Sequence, residues 1–157
     1  MRRHNTSGYR DDQPGFYAVT ICIQDRHAVL GKVMDCQIHL SEAGNIVQQT
    51  WNTLSQRFVY LVLHEYVIMP NHLHGIIEMA QAPEQANFQR TPLWAIIRTF
   101  KASACYQIRR LPGHPWFCWQ ERYYWSVLSS ESRLTTMRHY IRNNPARWTQ
   151  DSLYRRY

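Results

Sequence analysis

Long apolar runs are missing from this chain: no stretch of eighteen consecutive apolar residues occurs in its 157 positions, so no membrane-spanning helix is expected. Paired cysteines are missing too. Cys22, Cys36, Cys105 and Cys118 are scattered without a C-x-x-C motif, which excludes a zinc knuckle and a disulfide frame and predicts reduced thiols in a cytosolic protein. The opening "MRRHNTSGYRDDQPG" has arginines but no apolar segment behind them, so it does not read as a signal peptide. Repeats and low-complexity tracts are absent, and the length suits one domain over 1–157, with a basic N-terminal arm (1–15) and a basic C-terminal tail (146–157).

Lysine is almost absent as well: 16 of the 18 basic residues are arginine, in a chain of formal charge +7. Up to position 97 there are 7 basic and 8 acidic residues; beyond it there are 11 and 3, so the halves carry −1 and +8. Arginine suits bidentate phosphate contact. Interleaved with Trp116, Trp119, Tyr123, Tyr124 and Trp125, it matches a nucleic-acid surface that neutralises phosphates beside stacked bases; a merely solvated arginine-rich tail is the alternative.

The alternating "FYAVTICIQ" (16–24) predicts a first strand, and 28–40 a short hairpin. Ser41 is placed to cap a helix whose Ile46, Val47, Trp51 and Leu54 share a face. Two apolar strands, 59–69 and 72–79, flank Pro70-Asn71 and predict an antiparallel hairpin. A polar loop (80–90) leads to Thr91-Pro92, read as cap and first position of a helix, and 116–129 reads as extended. Ser130 then caps a last helix that Pro145 stops. This order predicts an α+β fold: a ferredoxin-like antiparallel sheet with helices packed on one face, plus a C-terminal helix.

Within the hairpin, "HLH" puts His72 and His74 on one face of a strand and Leu73 on the other. Two neutral imidazoles side by side are half a metal site, or else two hydrogen-bonded histidines at a strand end. On the last helix Leu134, Met137 and Ile141 form the core stripe, and Tyr140 and Asn144 stack at its edge. A phenol and an amide there are a packed tyrosine and a helix C-cap, or the nucleophile and ligand of a phosphodiester-cleaving site.

"MPNHLHG" resembles the His-hydrophobic-His (HUH) motif of single-tyrosine transposases, and "RHYIRNNPARW" resembles the tyrosine helix of the REP-associated tyrosine transposases. "GYRDDQPGFYAVTICIQDR", "HEYVIMPNHLHGII", "IIRTFKASA" and "FCWQERYY" extend the resemblance over about nine-tenths of the chain. The resemblance implies a metal-dependent single-stranded DNA endonuclease and strand-transferase. It would act on hairpin-forming repetitive extragenic palindromes through a 5′-phosphotyrosine, with Tyr140 as nucleophile and His72, His74 and Asn144 as ligands of Mg²⁺ or Mn²⁺. DNA contacts are expected from Arg2, Arg3, Arg10, Arg98, Lys101, Arg122, Arg142 and Arg147. The partner would be single-stranded or hairpin DNA, the place the cytoplasm at the nucleoid, and the working unit a monomer or homodimer. One departure stands out: where the family often has an Asp-His or Glu-His pair, this chain has Trp125-Ser126. A catalytically weak, domesticated hairpin-binding regulator is therefore the alternative function.

Overall fold

The structure is a computed structural model and describes residues 11–81 and 90–154. The chain runs β1 (Gly15–Cys22), a hairpin of β2 (Gly31–Met34) and β3 (Gln37–Leu40), then α1 (Glu42–Asn52) and the short α2 (Leu54–Arg57). It continues through β4 (Leu61–Met69), β5 (His72–Met79), α3 (Leu93–Ile108), β6 (Tyr124–Val127) and α4 (Glu131–Asn143) to a 3₁₀ turn at Pro145–Gln150. The main sheet has the order β4-β5-β1-β6, and each neighbouring pair is antiparallel. With α1 and α3 as the crossovers, this is the expected ferredoxin-like α+β arrangement.

Strand alternation divides the core between two faces. One face presents Tyr17, Val19, Ile21, Leu73 and Ile77 to Val47 and Trp51 of α1 and to Ile96, Ile97, Phe100 and Ala104 of α3. The other presents Ala18, Val67, Met69 and Ile76 to Leu134 and Ile141 of α4 and to Trp148. Trp51 is fully buried with its ring edge-on to Phe100, 5.4 Å between centroids, and truncating such a side chain costs about 3–5 kcal/mol. Its indole lies over Gly75: a β-carbon there would sit 2.6 Å from Cζ2 of Trp51, so only glycine fits after the "HLH" triplet.

The caps follow the sequence in part. Ser41 accepts from the Gly44 amide and Ser130 from the Arg133 amide, as expected. The start of α3 differs: Pro92 is the cap residue and has no side-chain bond, while the Asp11 carboxylate accepts from the Trp94 amide. Thr91 is instead engaged through its backbone with the Tyr60 hydroxyl. The extended stretch 116–129 forms a strand only at Tyr124–Val127. Before that, Phe117 and Trp119 turn into the core and the chain touches β1's continuation at one bridge, Ile23 to Trp119. The loop expected over 80–90 lies mostly outside the described residues. Within the expected basic tail, Trp148 and Leu153 are buried. No helix among the described residues is long and apolar enough to cross a membrane.

Candidate active site

β5 is an interior strand, so His72 and His74 emerge from the middle of the sheet onto the face that α4 covers. Both are almost fully buried, with ring centroids 4.5 Å apart. Each ring is held by its Nδ1. The Asn71 side chain donates from Nδ2 to the carbonyls of Arg26 and Leu153, which turns Oδ1 toward His72 as the acceptor for Nδ1–H at 2.7 Å. That bond fixes the tautomer and leaves Nε2 of His72 with a free lone pair. Nδ1 of His74 is 2.8 Å from the Thr20 hydroxyl, its neighbour across the β1–β5 pairing. With Nδ1 protonated, Nε2 of His74 accepts from the Tyr140 hydroxyl at 3.3 Å. Burial lowers both imidazoles. His74 falls to about 4, although Asp151 nearby opposes the shift; His72 drops well below its ordinary value by burial, then by His74 and Arg26. Both are thus neutral near pH 7, the state in which a histidine coordinates a metal.

The tyrosine comes from α4, whose main contacts on the sheet are with β4 and β5, and a cavity remains between the helix and parts of β1 and β6. The position of α4 is set by charge as well as apolar contact. Arg138 Nε donates to Oε2 of Glu65 at 3.1 Å, and Arg142 Nη2 donates to Oε1 at 2.6 Å. Glu65 lies where the β4–β5 register shifts between Leu63 and Tyr66, so an irregularity in the sheet presents this anion to the helix. Tyr140 then stands where two cavities meet. The larger, about 1040 Å³, is floored by Ala18, Thr20, Tyr124 and Ser126 and bordered by Arg122 and Arg133. The smaller, about 550 Å³, is bordered by His139, Asn143, Asn144 and Arg147. Burial raises the phenol's pKa and Asp151 raises it further, while a hydrogen bond from Asn144 opposes them.

Asn144 caps α4 one turn beyond Tyr140 and is buried. Its Oδ1 and the Nε2 of His72 are both buried without a hydrogen-bond partner among the described residues. Two such orphaned lone pairs, where buried polar atoms are nearly always paired, are what a cation would satisfy. The donor set therefore fits a divalent ion. The 3₁₀ turn after Pro145 adds a residue that sequence reading overlooked: Asp151, which clusters with His72 and His74 so that their ligand atoms lie within 4.8 Å of one another. Nothing in the sequence around Asp151 marks it except its place eleven residues after Tyr140 in an otherwise basic tail.

No family model matches the chain. Among solved structures, it superposes on a REP-associated tyrosine transposase bound to a REP hairpin with a TM-score of 0.63 and 14% identity, covering 94% of this chain and 74% of that one. A Deinococcus radiodurans R1 protein described as a candidate transposase gives a TM-score of 0.52 and 15% identity, covering 91% of this chain and 97% of that one. The fold is that of the REP-associated tyrosine transposases. By sequence the chain is 33% identical over 162 residues to an uncharacterised protein of Haemophilus influenzae, across 93% of this chain and 87% of its relative. The two belong to one family.

On this transposase fold, the four residues picked from the sequence as a site (His72, His74, Tyr140 and Asn144) come together from β5 and α4. Of the basic residues, Arg122 and Arg147 are exposed and border the two cavities. Arg142 is near Tyr140 but pairs with Glu65. Arg98 is exposed on α3, across the sheet from Tyr140. Lys101 is turned inward: its ammonium donates to the carbonyls of Gln120, Glu121 and Arg122 and lies over the Tyr123 ring. Arg2, Arg3 and Arg10 lie outside the described residues. At the departure from the family pattern, Trp125 packs toward the α3-side core and Ser126 lines the larger cavity.

Proposed function

We propose that this protein is a metal-dependent DNA nicking and joining enzyme of the transposase kind. Its substrate would be single-stranded or hairpin-forming DNA of the REP type, with Tyr140 as the nucleophile and His72, His74 and Asn144 holding the ion. The observation that carries the reading is the Tyr140 hydroxyl, 3.3 Å from Nε2 of His74 where two cavities join, so a strand crossing from one to the other passes the phenol. The hairpin-bound neighbour supports hairpin DNA as the substrate class.

In the reaction the phenol oxygen forms a bond to phosphorus as the bond to the 3′ oxygen breaks. The phenol proton leaves and the 3′ oxygen takes one up, giving a 5′-phosphotyrosine and a free 3′-hydroxyl. An incoming 3′-hydroxyl reverses the exchange without an external energy source. Burial and the Asp151 charge both hold the phenol protonated, so the site by itself disfavours the nucleophilic form. When bound, Mg²⁺ or Mn²⁺ supplies the positive charge that favours phenolate and offsets charge gathering on the phosphate oxygens. Thr20 and Asn71 hold the imidazoles in register, Asn144 steadies the phenol, and Arg122 and Arg147 neutralise phosphates on either side. The contact of Tyr140 with His74 of its own chain supports a monomer, rather than a homodimer, as the working unit.

The test is a labelled single-stranded REP hairpin incubated with protein and Mn²⁺. A covalent adduct that survives a denaturing gel, requires metal and disappears in Tyr140→Phe is expected; an adduct persisting in that variant would remove Tyr140 from its role. The regulator reading draws on Ser126, a small hydroxyl lining the larger cavity, at the place where the pattern of the resembled family has a histidine. It predicts salt-sensitive hairpin binding with no cleavage whether EDTA is present or not.

A further inference from the structure

The metal site read from the sequence is neutral: two imidazoles and an amide oxygen, none of which offsets the charge of a dication in a buried pocket. The structure brings a carboxylate to the same place. Asp151 has a side chain only 4% exposed, and its Oδ2 lies 3.9 Å from Nε2 of His72. Its other contacts are with neutral donors: Oδ1 accepts from the Leu153 amide at 2.7 Å and Oδ2 from Nδ2 of Asn144 at 3.3 Å. Among the described residues no lysine or arginine pairs with it; the nearby Arg26 donates to the Ser152 carbonyl instead. A buried carboxylate without a cationic partner is costly, and a bound cation is one of the few arrangements that relieves it. Nε2 of His72, 3.9 Å from the Asp151 carboxylate, and Oδ1 of Asn144, whose amide nitrogen contacts it, are likewise buried without a partner among the described residues.

We propose that Asp151 is the anionic ligand of this metal site, so that the ion ties the turn after α4 to strand β5. The inference rests on the reading of His72 and His74 as ligands. Its consequence is mechanical as well as electrostatic. Asn71 bonds Nδ1 of His72 with one end of its amide and the Leu153 carbonyl with the other. The histidine and the turn that delivers Asp151 are therefore already clipped together behind the ion. Binding the ion at their front closes a ring through His72, Asp151, Leu153 and Asn71. Metal loading should then order residues 150–154, and a ligand set ending in a carboxylate should favour hard, oxygen-preferring ions such as Mn²⁺ and Mg²⁺.

The test measures Mn²⁺ binding to the full chain by calorimetry, with Asp151→Asn as the variant that keeps shape and drops charge. Loss of an inner ligand should weaken binding by about tenfold or more, at least what disturbing an outer-shell partner costs. Binding within about twofold of the parent would overturn the assignment while leaving the histidine site intact. If the parent itself binds no Mn²⁺, the metal-dependent reading falls and this inference falls with it. A second measurement needs no variant: hydrogen exchange of the parent with and without Mn²⁺. Slower exchange at the Leu153 amide on adding metal is expected. Protection confined to β5, with none at 150–154, would overturn the proposal even if Asp151→Asn failed to fold.

Discussion

The side chain of Asn71 makes a prediction that does not depend on what the protein does. It is 1% exposed and makes three hydrogen bonds: to the Arg26 carbonyl at 3.2 Å, the Leu153 carbonyl at 2.9 Å and Nδ1 of His72 at 2.7 Å. Asn71→Ala removes all three and strands their partners in the interior. At about 1 kcal/mol per bond the loss is about 3 kcal/mol, more where the stranded groups stay dry. For a domain of this size that is a drop in Tm of roughly 6–12 °C. Urea unfolding and thermal melts measure it directly. Asn71→Asp separates the two ends of the amide. It keeps the acceptor for His72 but loses both donors and sets a charge against two carbonyls, so it should be at least as destabilised as Ala. A melting point for Asn71→Ala within about 2 °C of the parent would refute the idea that this amide clips the turn to the strand.

Glu65→Gln tests the charge clamp on α4. Burial alone would raise the Glu65 pKa, but its own backbone hydrogen bond, Arg142 and Arg138 outweigh that and hold it below 4.5. A carboxyl depressed on folding stabilises above its unfolded value, and that stabilisation is lost as pH falls through the folded one. The variant should therefore be less stable by about 1 kcal/mol at neutral pH, and the gap should close as pH falls below the lowered folded value of the Glu65 carboxyl. A gap unchanged between those conditions would show that charge is not what holds the helix. Gly75→Ala should cost about 1–3 kcal/mol by pushing a methyl into Trp51, read by urea denaturation; parent-like stability would mean the indole moves aside freely.

The elements with strong local signals were legible in the chain itself. Period-two alternation announced β1, an apolar run announced β5, Ser41 and Ser130 announced the starts of α1 and α4, and Pro70-Asn71 announced the turn between β4 and β5. The stripe of Leu134, Met137 and Ile141 gave the buried face of α4 and so the rim on which Tyr140 sits. Thr91-Pro92 misled because α3 is capped from across the fold, by Asp11 eighty-three positions from Trp94, and no local rule reports so distant a donor–acceptor pair. The same reasoning explains Lys101, which looks like a DNA contact on a helix surface until the 120–122 carbonyls arrive from elsewhere to take its ammonium.

By itself, then, the sequence determined the fold class and that His72 and His74 share one face of a strand, because backbone period and turn chemistry are local properties. Only the tertiary structure decided that Tyr140 stands over His74, that Asn71 does more than turn the chain, and that Asp151 reaches the histidines. Each of those contacts joins residues by way of the packing of α4 and its following turn on the sheet. Proximity across a core is a consequence of how faces pack, and no spacing along the chain encodes it.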